Sequence, residues 1–478
     1  MNHMGCPRAF AWLAIAGLGW VGAACSEPEP CVRESQAGYA ARAPFDARAR
    51  VRRVDCGFTS SVVGLAVAPD GAAWLRRIEY EDHGEDSFYR PPDKLLQHVG
   101  ADGALLNELR VPDYVSHHVV HPSGELTILG WDKSFQAGRL VQLRRLAADG
   151  SLLSEREWTY DVPVEQRWDY TVSAEGVLRR VEVAEPQRYM SVLQARAVGE
   201  ETAILVAADG IRVGMLDRSL QPRWMSLVTP TVAITGQPTR EQMLALGAPF
   251  GGSGLDVDPA GGVHVAMPFM DVQRRARADA FPSVPGGPEG RSILLASFSP
   301  TGELVASRAI PAQTPREVTG LAVEDGVFAV GASERAPADG FSEAHPDLYF
   351  AAGRLDGAAD AVVVRRLDID RDDVPTAFIG CGVGRFCFAG QTAFEPSPTG
   401  PAWTESQGFV LAVDGQGERQ ALLLLQGPRD TEVTQASEGP GGRVVFALET
   451  DEPADAARVA DLLKRNESWV GVFDGTPP

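Results

Sequence analysis

Lysine is nearly missing from this 478-residue sequence: Lys94, Lys133 and Lys464 are the only three among 44 basic side chains. The remainder is arginine, a bias that fits a GC-rich coding sequence and carries no recognition argument. Against 64 acidic residues this leaves a net charge of −20. Such a surface repels phosphate backbones and anionic lipid headgroups, so nucleic acid is excluded as a partner. Past residue 25 no apolar run is long enough to cross a bilayer; Ala421-Leu422-Leu423-Leu424-Leu425 has only the length of a strand. There are six cysteines and no C-x2-C pair, which argues against a zinc site built from them. No phosphate-binding Walker loop, dinucleotide fingerprint or HExxH occurs, and Gly251-Gly252-Ser253-Gly254 is not a nucleophile elbow. No cofactor, no metal and no catalytic residue is read from these patterns.

What is present begins with an export signal. Arg8 precedes an uncharged apolar run from Ala9 to Val21, and Gly22-Ala23-Ala24-Cys25 follows. The run is too short to span a membrane and ends in small residues, the pattern of a cleaved signal. Small residues directly before a cysteine resemble a bacterial lipobox, which implies lipid attachment at Cys25 and a membrane partner through that anchor. Gly22 departs from the Leu or Val usual three residues before the cysteine; the alternative is cleavage after Ala24 and a periplasmic or secreted protein. The expected organisation is a signal over 1–24, a polar tether over 25–45 and one domain over 46–478, a monomer. Four cysteines remain in an oxidising compartment, and three pairings are open. Cys381–Cys387, flanking a Gly-rich turn, and Cys31–Cys56 are favoured.

One unit then recurs along the chain: an apolar strand, a Gly turn, a second apolar strand. Copies include VVGLAVAPDGAAWL from Val62, SGLDVDPAGGVHVAM from Ser253 and VTGLAVEDGVFAVGA from Val318. Weaker copies begin at Tyr170, Phe378 and Val433. A second hairpin with a more polar last strand follows each first one. Inner turns are assigned to Gly71, Gly124, Gly176, Gly262, Gly326, Gly384 and Gly442, and outer turns to Gly103, Gly150, Gly210, Gly302, Gly357, Gly415 and Gly475. Two hairpins make four antiparallel strands, one propeller blade. The expected fold is all-β, a seven-bladed β-propeller. Its last blade lacks an outer strand, which residues 46–55 are expected to supply. The longer gap between Gly176 and Gly262 is assigned to an insertion at 229–251 with a short helix at 239–246; eight blades or two smaller propellers remain alternatives there.

The alternating hairpins and acidic, Gly-rich turns resemble bacterial surface lipoproteins built of β-propeller repeats. The resemblance covers residues 46–475 and implies export and an interaction role. Other motifs reduce to turns and solvated loops. Ala68-Pro69-Asp70-Gly71-Ala72-Ala73-Trp74 lacks the leading Ser or Thr and the spacer of a sialidase Asp-box. Asp368, Asp370 and Asp372 have D-x-D-x-D spacing, but Asp373 and Ile379 stand where a calcium loop needs Gly and Glu. His117, His118 and His121 cluster, and on a strand His117 and His121 would share a face as a metal site needs, but His121 begins the turn before Pro122. Asp217–Trp224 resembles a Trp motif of quinoprotein propellers, which recurs blade after blade there and once here.

Long connections fall at 76–91, 269–291, 333–347, 391–407 and 451–466, all expected on one face together with the 229–251 insertion. Long loops on a rigid scaffold are where specificity resides. Strand starts at that mouth would present His117, Asp169, Ser253, Glu317, Asp373 and Glu432, a mostly acidic ring suited to a small cationic ligand or a basic protein. The expected function is a non-catalytic binding or scaffold protein of the cell envelope. The alternatives are an exported propeller hydrolase or lyase and a quinone-binding redox propeller.

Overall fold

A strand flanked on both sides by other sheets must be apolar on both faces, whereas a strand at a rim can alternate. The chain shows both kinds within each repeat. Ser406–Asp414 is buried along nearly its whole length, while Leu105–Arg110 alternates between exposed and half-buried residues. The computed structural model describes residues 49–474 except 54–58, 81–92, 102–103, 112–114, 132–140, 159–167, 173–177, 183–189, 209, 230–231, 235–251, 271–290, 313–314, 336–345, 358–360, 371, 394–405, 427–429 and 452–465.

The described residues form a seven-bladed β-propeller of four-stranded antiparallel blades. Blade 1 runs outward through Thr59–Val67, Ala73–Tyr80, Asp93–Val99 and Leu105–Arg110, and blade 2 through Val115–Val120, Leu126–Trp131, Val141–Leu146 and Leu152–Trp158. Blade 3 is Met190–Val198, Glu201–Ala208, Ile211–Leu216 and Pro222–Thr229; blade 4 is Gly254–Val257, Val263–Met270, Arg291–Phe298 and Leu304–Pro311. Blade 5 is Pro315–Glu324, Val327–Arg335, Pro346–Arg354 and Val363–Leu367; blade 6 is Asp372–Gly380, Arg385–Ala393, Ser406–Asp414 and Arg419–Leu425. Blade 7 has Thr431–Gly439, Arg443–Asp451 and Asn466–Phe473. Its outer place is taken by Ala49–Arg53, antiparallel to Asn466–Phe473, so the expected closing strand is in place and covers an edge that would otherwise offer unpaired backbone groups. Each innermost strand touches that of the next blade, and the seventh touches the first.

The turns are copies of one another. In 68–72, 121–125, 147–151, 217–221, 258–262, 299–303 and 414–418 the first residue's amide reaches the fifth residue's carbonyl, and the fourth residue's amide returns to the first carbonyl. This is a three-residue hairpin closed by a left-handed bulge, which asks for glycine at the fourth position. Gly71, Gly124, Gly150, Gly261, Gly302 and Gly417 hold it with positive φ. Two assigned turn glycines, Gly262 and Gly415, are thus each displaced from the left-handed residue. In the seventh turn Leu220 takes φ 66°, supported by Asp217 Oδ1, which accepts the amides of Ser219 and Gln221 at 2.8 Å each.

That leucine explains the one misplaced repeat. A reading based on glycines passes over 217–221 and assigns the outer turn of blade 3 to Gly210, which is its middle connection. The inner turn is then pushed back to Gly176. Trp168–Val172 and Leu178–Glu182 instead form a hairpin outside the blades, joined by Val232–Ile234 running parallel to Trp168–Val172. This extra sheet draws on the links before and after blade 3. The expected helix at 239–246 lies outside the described residues.

Candidate functional site

In a four-stranded blade the first and third turns share one face, and the second connection and the link to the next blade share the other. The first and third turns span five residues or fewer, except the third turn of blade 5 at 355–362. The residues between second and third strands are 81–92, 132–140, 271–290, 336–345, 394–405 and 452–465, in every blade but the third. Blade 3 turns there through 209–210, yet its flanking links contribute the extra sheet. Apart from 355–362, the length variation falls on the face expected.

Side chains near the channel are governed by a repeated bulge. Register slips by one residue at Val63, Ser116, Leu193, Thr319, Thr376 and Thr434, in the innermost strands of all blades except the fourth. Polar side chains here bond one blade to the next. Arg76 donates to Val115 O at 2.8 Å. His117 bonds the Leu193 backbone. Gln194 and Arg196 donate to Ser253 O and Leu255 O at 3.1 and 3.2 Å. Asp256 Oδ2 accepts Val323 N at 2.7 Å, and Glu324 Oε2 accepts Gly384 N at 3.3 Å. Thr376 donates to Val433 O and Thr434 to Val62 O. All seven boundaries are bridged in this way.

The six residues expected at the long-connection mouth take different places. His117 is a blade-to-blade link; burial first, then the Arg76 and His118 charges, hold its pKa down at about 3. Ser253 is buried and lends its carbonyl to Gln194. Asp373 is fully buried, with Oδ2 accepting Ile369 N at 2.6 Å, and burial raises its pKa to about 6. Asp169 lies in Trp168–Val172 of the extra sheet, outside the innermost strands. Glu317 and Glu432 occupy equivalent positions, two residues before the bulge in blades 5 and 7. Glu317 is exposed, and Glu432 is half-buried, its pKa raised by burial and by Glu449.

The three clustered histidines diverge. His118 Nε2 meets Trp74 O at 2.9 Å, and His121 lies between Gly199 O and Thr127 Oγ1. Among the described residues no three His, Cys, Asp or Glu side chains stand close enough to share a metal ion. His121–Thr127 marks a recurring clamp across the first hairpin, joining residues six apart. In blade 4 the clamp is Asp258–His264 at 3.0 Å, with His264 Nδ1 reaching Ser297 Oγ at 2.9 Å. In blade 6 it is the expected disulfide Cys381–Cys387, with Cα atoms 5.9 Å apart. Ser297 and His264 are only 6% and 4% exposed, in mid-sheet, so this Asp-His-Ser series holds a hairpin together and offers no reachable nucleophile. Cys25, Cys31 and Cys56 lie outside the described residues.

Sequence reasoning missed the other mouth. There the first turns of blades 3 to 7 enclose a cavity of about 1080 Å³. Glu324 and Glu438, from blades 5 and 7, reach it past Gly380 of blade 6. A Cβ at position 380 would stand 2.7 Å from Glu324 Oε1 and 3.6 Å from Glu438 Oε2. Asp256 of blade 4 lies close enough to act on both carboxylates by charge. All three pKa values are raised, first by burial; for Glu438, where the Glu324 and Asp256 charges add to it, the value is about 7. Two acidic residues ending inner strands were the available signal; the missing side chain at 380 that lets them meet has no local signature.

No protein-family model matches the chain, and no curated protein matches it. Among solved structures it is similar to BamB from Moraxella catarrhalis, with 12% identity over 86% of this chain and 82% of that one and a TM-score of 0.38. It is also similar to the β-propeller domain of the Trilobed protease from Pyrococcus furiosus, with 9% identity over 86% and 93% and a TM-score of 0.44. The acylaminoacyl peptidase of Pyrococcus horikoshii matches with 9% identity over 87% of this chain and 52% of that one, at a TM-score of 0.41. At these identities the likeness is one of fold alone.

Proposed function

We propose that this protein is a non-catalytic binding or scaffold propeller of the bacterial cell envelope. In this reading it is held to a membrane through lipid on Cys25 and engages a partner with its long-connection face. The observation that carries the reading is the concentration of long connections, extra sheet included, on one face of a ring in which seven turns of the other face share one hydrogen-bond pattern. Neutral insertions would be tolerated on both faces, since loop closure entropy grows slowly with length. Glu317 and Glu432, on equivalent strand starts of that face, favour a basic protein or a small cationic ligand there. Among the described residues no helix is long and apolar enough to cross a membrane, so attachment would rest on the anchor.

The test replaces 271–290 and 394–405, separately and together, by short Gly-Asn turns. The variants should fold with near-native melting temperatures, because the described strands carry blade-to-blade hydrogen bonds and a packed core of their own, and should lose at least tenfold in affinity for the partner retrieved with the full chain from envelope extracts. Unchanged affinity in the doubly shortened protein would remove the basis of the reading. Mass spectrometry of the mature N-terminus tests the anchor, an unmodified Cys25 counting against it.

A further inference from the structure

The cavity at the short-turn mouth is built from a different part of the ring and does not depend on the binding face. Blade 6 contributes Gly380 at its rim; Glu324 of blade 5 reaches into the space that a Cβ there would fill, and Glu438 of blade 7 lies against it. Two carboxylates approaching one glycine from non-adjacent blades repel each other when both are ionised, and the repulsion is lifted when one is protonated.

The surrounding charges do not neutralise the pair. Glu438 faces Glu324, Asp256 and the Arg196 guanidinium. Glu324 faces Asp256, Asp325 and Arg385, and accepts one backbone amide from Gly384. Asp256 faces Arg196 and His264. Asp258 also lines the cavity and is taken up by His264. Arg196 is itself directed at Leu255 O, so carboxylates outnumber the cations at this mouth.

We propose that Glu324 and Glu438, with Asp256 beside them, hold a proton between blades 5 and 7 and so make closure of this mouth of the ring dependent on pH. When one carboxyl is protonated the pair carries a single negative charge, and the strand ends of blades 5 and 7 hold their places on either side of Gly380. When the proton leaves to solvent, the like charges push the two strand ends apart. The direction follows from linkage. Glu438 ionises at about 7 in the fold against 4.5 for an ordinary glutamate, so its contribution to stability is complete below about 4.5 and lost as pH rises through about 7. Burial of His117 and His118 as neutral rings, with values near 3 and 4, gives a slope of opposite sign below about 6.5. The effect must therefore be read as a difference between proteins.

The experiment is a pH titration of the full chain labelled with 13C at glutamate carboxyls, compared with Glu438→Gln to identify the resonance, together with melting at pH 5.5 and pH 8. A glutamate midpoint near 7 that vanishes in Glu438→Gln is expected. The margin by which Glu438→Gln melts above the wild type should be larger at pH 8 than at pH 5.5, because the amide is neutral at both values while the wild type loses its proton between them. Should that variant fail to fold, Glu324→Gln must bring the Glu438 midpoint down by at least one pH unit. A Glu438 midpoint between 4 and 5, parallel melting curves for the two proteins, or a Glu438 midpoint unmoved by Glu324→Gln would overturn the proposal.

Discussion

Leu220 carries two opposed quantities in one side chain. Its φ of 66° costs a non-glycine residue about 1–2 kcal/mol, yet the side chain is fully buried in the core between blades 2 and 3, where removing a leucine costs about 2–5 kcal/mol. Burial wins, and the turn tolerates a residue its geometry disfavours. Leu220→Ala should therefore cost about 3 kcal/mol in chemical denaturation, since it loses the packing and keeps the strain. Leu220→Gly should cost no more than Leu220→Ala, the reverse of the order at an ordinary buried site; a glycine variant less stable than the alanine one by over about 1 kcal/mol would contradict this. Another residue-scale balance lies between blades 2 and 3, where Arg145 is buried against Glu125 at 2.8 Å and Glu200 at 2.7 Å. Arg218, mostly exposed, adds a second cation to Glu125, so that carboxylate is fully paired.

At the scale of the hairpin, the same two positions six residues apart are joined by His121 and Thr127, by Asp258 and His264, and by Cys381 and Cys387. The chemistry differs while the place is fixed by the fold. It follows that Asp258→Cys with His264→Cys should form a disulfide on oxidation, seen as loss of thiol-reagent labelling. Persistent labelling of both thiols would show that the positions are not interchangeable. Removing the native bridge by Cys381→Ala with Cys387→Ala should lower stability by roughly 2 kcal/mol, the chain-entropy value for so short a loop. Outer strands carry their own repeated bulge, at Leu106, Leu153, Arg223, Val305 and Gln420. Leu106, Leu153 and Val305 at these bulges are 58%, 51% and 64% exposed, and a bulged edge resists pairing with another sheet. The blades were legible in the sequence because their turns demand glycine at a fixed place. Blade 3 was displaced where leucine replaces it, and the hairpin at Gly176 has repeat-like residues without a repeat's position. The disulfide was legible because its cysteines flank a Gly turn. The Glu324–Glu438 pair was not, because it depends on an empty position in a third blade.

For the whole molecule, the contrast between faces is the main result. One side is a set of similar turns locked by backbone hydrogen bonds, Asx contacts and clamps; the other holds the long connections and the extra sheet. The polar links across all seven blade boundaries fix the ring, so changes in the long connections need not disturb it. His117 illustrates what sequence position alone cannot decide: it sits where a ligand residue was expected and bonds the next blade instead. The most direct measurement uses photo-crosslinking residues introduced singly in intact cells, in 81–92, 271–290 and 394–405 on one face and at Asp70, Thr301 and Gln416 in the short turns of the other. A discrete crosslinked partner from the long-connection positions, and none from the short turns, is the predicted result; crosslinks to that partner from the short-turn positions alone would contradict the account.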